Sequence, residues 1–127
     1  MTRPETPRVL VVDDDDDIRF LITIALETTA GWEVVVATGG AEAVALAAER
    51  QPDAILLDLM MPGMDGLATT EALRAQPSTA QIPVILLTAK AAAGGEVPWE
   101  GAAISGALTK PFDPMTLAAD VSALLGW

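Results

Sequence analysis

Among its 127 residues the chain has no cysteine, no histidine and no tyrosine, and it sets only seven lysines and arginines against eighteen aspartates and glutamates. Without histidine there is no imidazole base, no histidine metal ligand and no imidazole to carry a phosphoryl group. Without cysteine, thiol catalysis, zinc–thiolate sites and disulfides are excluded, which fits a reducing compartment. The net charge of −11 repels a polyanion, so direct binding of nucleic acid through phosphate neutralisation is not expected. No apolar run is longer than a strand, and the Met-Thr-Arg-Pro-Glu start lacks the apolar region of a signal peptide, so no membrane association is expected. These absences leave an acidic, cytoplasmic domain whose chemistry uses carboxylates, hydroxyls, lysine and backbone. The length fits one domain over residues 1–127, with a core at about 7–126.

Short apolar runs alternate with helical patterns. Arg8 to Val12 is a β-branched run that stops at five consecutive aspartates, Asp13 to Asp17. Ile18, Leu21, Ile22, Ala25 and Leu26 then recur at helical spacing, and Gly31 ends that helix. Glu33 to Ala37 reads as a second strand, and Gly40 to Arg50 as an alanine-rich helix stopped before Pro52. Ala54 to Leu57, ending at Asp58, is a third strand, followed by a turn-rich loop from Met60 to Gly66 and a weaker helix to about Ala75. Val84 to Leu87, closed by Thr88, and Ala107 to Thr109, closed by Lys110, are the fourth and fifth strands. Between them, Ala91 to Ser105 holds Gly94, Gly95 and Pro98, so the helix due there is short or irregular. The last helix is expected to have Asp113 as N-cap, Pro114 at its first position, and a core face of Leu117, Val121, Leu124 and Leu125. Continuous apolar strands alternating with helices indicate an α/β fold, with a doubly wound five-stranded parallel sheet covered on both faces.

In such a sheet, ligands bind beyond the carboxyl ends of the strands. Those ends carry Asp13 and Asp14 on the first strand, Asp58 on the third, Thr88 on the fourth and Lys110 on the fifth. Three carboxylates about 4 Å apart repel by roughly 4 kcal/mol per pair at an effective dielectric near 20. They must protonate, separate or hold a cation. An all-oxygen site with open positions suits Mg²⁺ (or Mn²⁺). Lys110 can then attract an anionic group and Thr88 donate a hydrogen bond to it, which supplies the parts for phosphoryl transfer with a carboxylate as covalent acceptor.

The run Val11-Val12-Asp13-Asp14, then Leu57-Asp58 through Met61-Pro62-Gly63-Met64-Asp65-Gly66, then Leu87-Thr88-Ala89 and Thr109-Lys110-Pro111-Phe112, resembles the receiver domain of two-component response regulators of the chemotaxis-regulator type. The resemblance covers nearly the whole chain in order. It implies a flavodoxin-like sheet in the order 2-1-3-4-5. It implies that Asp58 accepts a phosphoryl group from the phosphohistidine of a sensor histidine kinase or a histidine phosphotransfer protein. Asp14 would then be a direct Mg²⁺ ligand, Asp13 a supporting one through water, and Met60 a ligand through its backbone carbonyl. Thr88 and Lys110 would contact the phosphoryl oxygens, the Lys110–Pro111 bond would be cis, and Met60 and Lys90 would set how fast water removes the phosphoryl group. The protein would catalyse only its own phosphorylation and dephosphorylation, and it would signal through an unknown downstream protein target or by relay.

Simpler readings apply elsewhere. Asp15, Asp16 and Asp17 read as a solvated helix start, with Asp16 or Asp17 capping. Asp65 reads as a turn residue and Asp53 as a strand-entry residue at the opposite edge. Trp32 and Phe112 read as packing residues, and burial is favoured over a partner contact for Trp99 and Trp127. The aromatic residue that many receivers place three positions before the lysine is replaced by Ala107, so an aromatic rotamer switch there is unavailable. The sequence leaves no room for an output domain after the last helix, so either a stand-alone receiver or a piece of a larger protein is expected, and Met1 favours the former. The alternatives are a degenerate receiver that only binds, an aspartyl phosphatase, which would want Asp-x-Asp-x-Thr after the first strand, and a flavin carrier, whose phosphate the aspartates would repel.

Overall fold

The computed structural model describes residues 3–89 and 103–127. The apolar runs form β1 (Arg8–Val12), β2 (Glu33–Ala37), β3 (Ala54–Asp58), β4 (Val84–Thr88) and β5 (Gly106–Thr109). They pair in parallel in the order β2-β1-β3-β4-β5. Four helices are described: α1 (Asp16–Ala30), α2 (Gly40–Arg50), α3 (Gly66–Ala75) and α4 (Leu117–Leu125).

Side chains alternate across a strand, so a strand apolar at every position serves two cores at once. Val9, Val11, Leu56, Ile85 and Leu87 face the layer of α1 and α4, where they meet Ile22, Leu26, Leu117 and Val121. Leu10, Val12, Ile55, Leu57 and Leu86 face the layer of α2 and α3, where they meet Ala43, Ala47 and Leu73. Each fully buried leucine or isoleucine contributes roughly 1.5–3 kcal/mol, so the central strands are the most strongly held part of the molecule. The parallel arrangement puts every strand's carboxyl end on one rim. At the opposite rim, the Asp53 carboxylate accepts from the Arg8 amide at 2.8 Å, and Arg8 pairs with Glu33 at 2.5 Å. This places Asp53 as the sequence indicates.

Several local expectations need correction. The N-cap of α1 is Asp15, which accepts from the amides of Asp17 and Ile18, and not Asp16 or Asp17. Asp113 and Pro114 do not begin α4. The Asp113 carboxylate accepts from the Met115 amide and its carbonyl from Thr116, which closes a separate tight turn. The helix proper starts at Leu117 after Thr116. Leu124 is exposed on α4 and covers Gly106, and Leu21 lies at the open margin of α1. Gly31 ends α1 as expected, and Gly126 ends α4; both have left-handed backbone. Trp32 is buried and meets the half-buried Trp127 edge-on, with ring centroids 5.5 Å apart. Phe112 packs against the same core. The expected irregular helix, Lys90 and Trp99 lie outside the described residues, apart from Ala103 to Ser105. Among the described residues no helix is long and apolar enough to cross a membrane.

Candidate functional site

Register builds the site. Val12 lies opposite Leu57 across β1 and β3, so continuing both strands by one residue sets Asp13 beside Asp58. On the other side, Asp58 pairs with Leu87 and Thr88 with Thr109. The Lys110 amide donates to the Thr88 carbonyl at 2.7 Å, which carries the ladder one step beyond β5 to the lysine. The Lys110–Pro111 peptide is cis.

Asp13 is fully buried, Asp58 is 5% exposed and Asp14 is open to solvent. Carboxylate oxygens of all three lie within 4.8 Å of one another. The Lys110 ammonium donates to Asp13 Oδ2 at 2.8 Å and lies 3.2 Å from Asp58 Oδ1. The second Asp13 oxygen accepts from the Asp15 amide at 2.9 Å, so both are engaged. The Met60 amide donates to Asp58 Oδ1 at 3.3 Å, while the Met60 side chain, 74% exposed, points into solvent. Thr88 is buried at the end of β4.

The loop after Asp58 is folded back onto the strand that carries it. The Gly66 amide donates to the Leu59 carbonyl at 2.9 Å. A Cβ at Gly66 would sit 2.7 Å from the Asp58 carbonyl oxygen, so only glycine allows this approach. Asp65 is the N-cap of α3, accepting from the Ala68 amide, where the sequence suggests a turn residue.

Burial raises the Asp58 pKa above the ordinary aspartate range, and the Asp13 charge raises it further. Lys110 and the Met60 amide only partly offset this. For Lys110, burial works against the charged form, but the bonds and charges of Asp13 and Asp58 outweigh it and hold the ammonium more firmly than usual. Three carboxylates facing one ammonium leave two negative charges without compensation. An oxygen-only donor set, partly open at Asp14 and short of positive charge, fits a hard divalent cation such as Mg²⁺.

Asp13, Asp14, Asp58, Thr88 and Lys110, widely separated in sequence, thus share one rim, with Met60 beside them. Sequence reasoning missed Arg19. Its guanidinium donates to the Asp13 backbone carbonyl at 2.8 Å and pairs with Asp16. The spacing of Asp16 and Arg19, three residues apart within a helix, was the available signal.

The chain matches the response regulator receiver domain over residues 9–122. It is 43% identical over 119 residues to the DNA-binding dual master transcriptional regulator RpaA of Synechocystis, covering 94% of this chain and 49% of that protein. It is 36% identical over 118 residues to protein PilH of Pseudomonas aeruginosa, covering 93% and 97% respectively. The chain spans about half the length of several of the curated relatives it matches. Its structure is similar to the receiver domain of the sensor histidine kinase PA1611 of Pseudomonas aeruginosa, solved with a magnesium ion coordinated in the active site cleft. The TM-score there is 0.84 at 30% identity, covering 96% of this chain and 99% of that one. With the sheet order, the acidic rim and the match along nearly its whole length in agreement, the chain belongs to the response regulator receiver domain family of two-component signalling.

Proposed function

We propose that this domain is a phosphoacceptor: Asp58 takes a phosphoryl group from the phosphohistidine of a sensor histidine kinase or a histidine phosphotransfer protein. The observation that carries this reading is the juxtaposition of Asp58 with Asp13, Asp14 and a lysine 3.2 Å away on one rim. An Asp58 carboxylate oxygen attacks phosphorus. The new P–O bond forms as the P–N bond breaks, and the departing imidazole keeps the bonding pair and takes a proton from water. Lys110 lies where it can pair with a phosphoryl oxygen, and the Thr88 hydroxyl can donate to another. Both would meet the charge that spreads over those oxygens in the transition state.

Asp14, Asp13 and Asp58, with the Met60 backbone carbonyl, would hold Mg²⁺, or Mn²⁺ in its place. Once bound, the ion neutralises the carboxylates and the incoming phosphoryl oxygens. The domain acts as a stoichiometric acceptor and not as a turnover enzyme, and it acts in the cytoplasm, where phosphohistidine donors are regenerated. Output runs through a protein partner that distinguishes the phosphorylated form. The test is incubation with Mg²⁺ and acetyl phosphate followed by intact mass. The wild type should gain one phosphoryl group and Asp58→Asn none. A receiver used only as a binding module would gain none in either form.

A further inference from the structure

We propose that Arg19 is a positioning residue for the divalent cation, acting through the peptide that joins Asp13 to Asp14; this rests on the phosphoacceptor reading above. One guanidinium nitrogen, Nη1, donates to the Asp13 carbonyl at 2.8 Å, and the other terminal nitrogen, Nη2, pairs with Asp16. The Arg19 side chain is only 15% exposed, against 37% for Arg8 and 42% for Arg50.

The carbonyl it holds belongs to the peptide unit whose nitrogen is that of Asp14. The next peptide is held by the Asp15 amide bonded to Asp13 Oδ1, so with the Arg19 contact both peptide planes that flank the Asp14 Cα are restrained, and together they limit the directions in which the Asp14 side chain leaves the backbone. Asp13 has independent anchors, because its carboxylate is tied to Lys110 and to the Asp15 amide. Asp14 has no comparable tether. It is exposed, and among the described residues its carboxylate accepts no hydrogen bond. Arg19 therefore supplies orientation at the one member of the acidic cluster that its own contacts leave free. The guanidinium is suited to this because its fork spans a carbonyl and a carboxylate at once, whereas an ammonium is a point donor.

This role makes a prediction opposite in sign to simple Coulombic reasoning. If Arg19 acted only as a positive charge near the cation site, removing it would tighten Mg²⁺ binding. If it positions Asp14, removing it weakens binding although a repulsive charge is gone. Loss of a partner that orients a metal ligand typically weakens affinity by about 10–100-fold.

The test is calorimetric titration of the metal-free full chain with MgCl₂ for wild type, Arg19→Gln and Arg19→Lys, with amide shifts of Asp13 to Asp15 recorded without metal. Both variants should bind Mg²⁺ more weakly, on the order of tenfold for Arg19→Gln and less for Arg19→Lys. Both should show displaced shifts at Asp14. Phosphorylation by acetyl phosphate should need more Mg²⁺ for half-maximal rate yet approach the wild-type rate at saturation. Equal or tighter Mg²⁺ binding by Arg19→Gln would overturn the proposal. If that variant does not fold, equal or tighter binding by Arg19→Lys would do so. Failure of the wild type itself to bind Mg²⁺ and accept a phosphoryl group would instead overturn the underlying phosphoacceptor reading.

Discussion

Asp58 is placed where its charge is costly without a cation. Its pKa is raised, first by burial and then by Asp13, so between the unfolded-chain value and the folded one the native protein binds more protons than the unfolded chain. Metal-free stability therefore falls as pH rises through that window. Asp58→Asn removes the penalty and leaves the 2.8 Å Lys110–Asp13 pair in place. In the presence of a chelator near neutral pH, it should raise the melting temperature by a few degrees and flatten the fall with pH, as followed by circular dichroism. Lys110 has the same sign of pH dependence in a higher window, although there it is a favourable pairing that is lost and not a penalty that is gained. Its pKa is raised in the folded state, so its contribution is complete below the ordinary lysine range and is lost only as pH climbs through the folded value. Lys110→Ala leaves Asp13 and Asp58 unpaired and should cost about 3 kcal/mol in urea unfolding without metal. Mg²⁺ should recover part of that loss.

Among the elements, the loop from Leu59 to Gly66 holds the surroundings of Asp58 in place. Gly66→Ala would drive a methyl group to 2.7 Å from the Asp58 carbonyl oxygen and 2.8 Å from the Leu59 Cα. The start of α3 must then back away from β3. Unfolding should become easier by about 1–3 kcal/mol, and Mg²⁺ affinity should fall with it, as a paired urea and calorimetric series would show. The strands and their carboxyl ends were legible in the sequence because each is an apolar run stopped by a polar residue, and the parallel sheet aligns those stops. The start of α4 was not, because Asp113-Pro114 serves equally to open a helix or an isolated turn, and the Asp113–Thr116 contacts close the turn. Nor was the α1 cap: in a run of five aspartates every residue has capping chemistry, and only backbone geometry selects Asp15. Arg19 was only partly legible: its spacing from Asp16 marks the ion pair, but its contact to the Asp13 backbone carbonyl leaves no mark in residue type.

For the whole molecule, a net charge of −11 means that the folded state works against its own repulsion. Raising NaCl should therefore increase the melting temperature modestly by screening. Mg²⁺ at matched ionic strength should raise it further, and that extra rise should vanish in Asp14→Asn. Equal effects of the two salts would place the divalent contribution in the general field and not in the rim. Receiver-family resemblance and the acidic rim were legible in the sequence because the motifs that carry them fall at strand ends, whereas the strand order came only through that resemblance, since apolar runs do not say which strands are neighbours.

The most direct measurement is to locate the covalent product. After incubation with acetyl phosphate and Mg²⁺, reduction with borohydride converts an aspartyl phosphate to homoserine, and peptide mass spectrometry reads its position. Homoserine should appear at position 58, and it should disappear when the metal is chelated. Homoserine at 13 or 14, a phosphoryl group on a serine or threonine, or no modification with Mg²⁺ and donor both present would contradict the account.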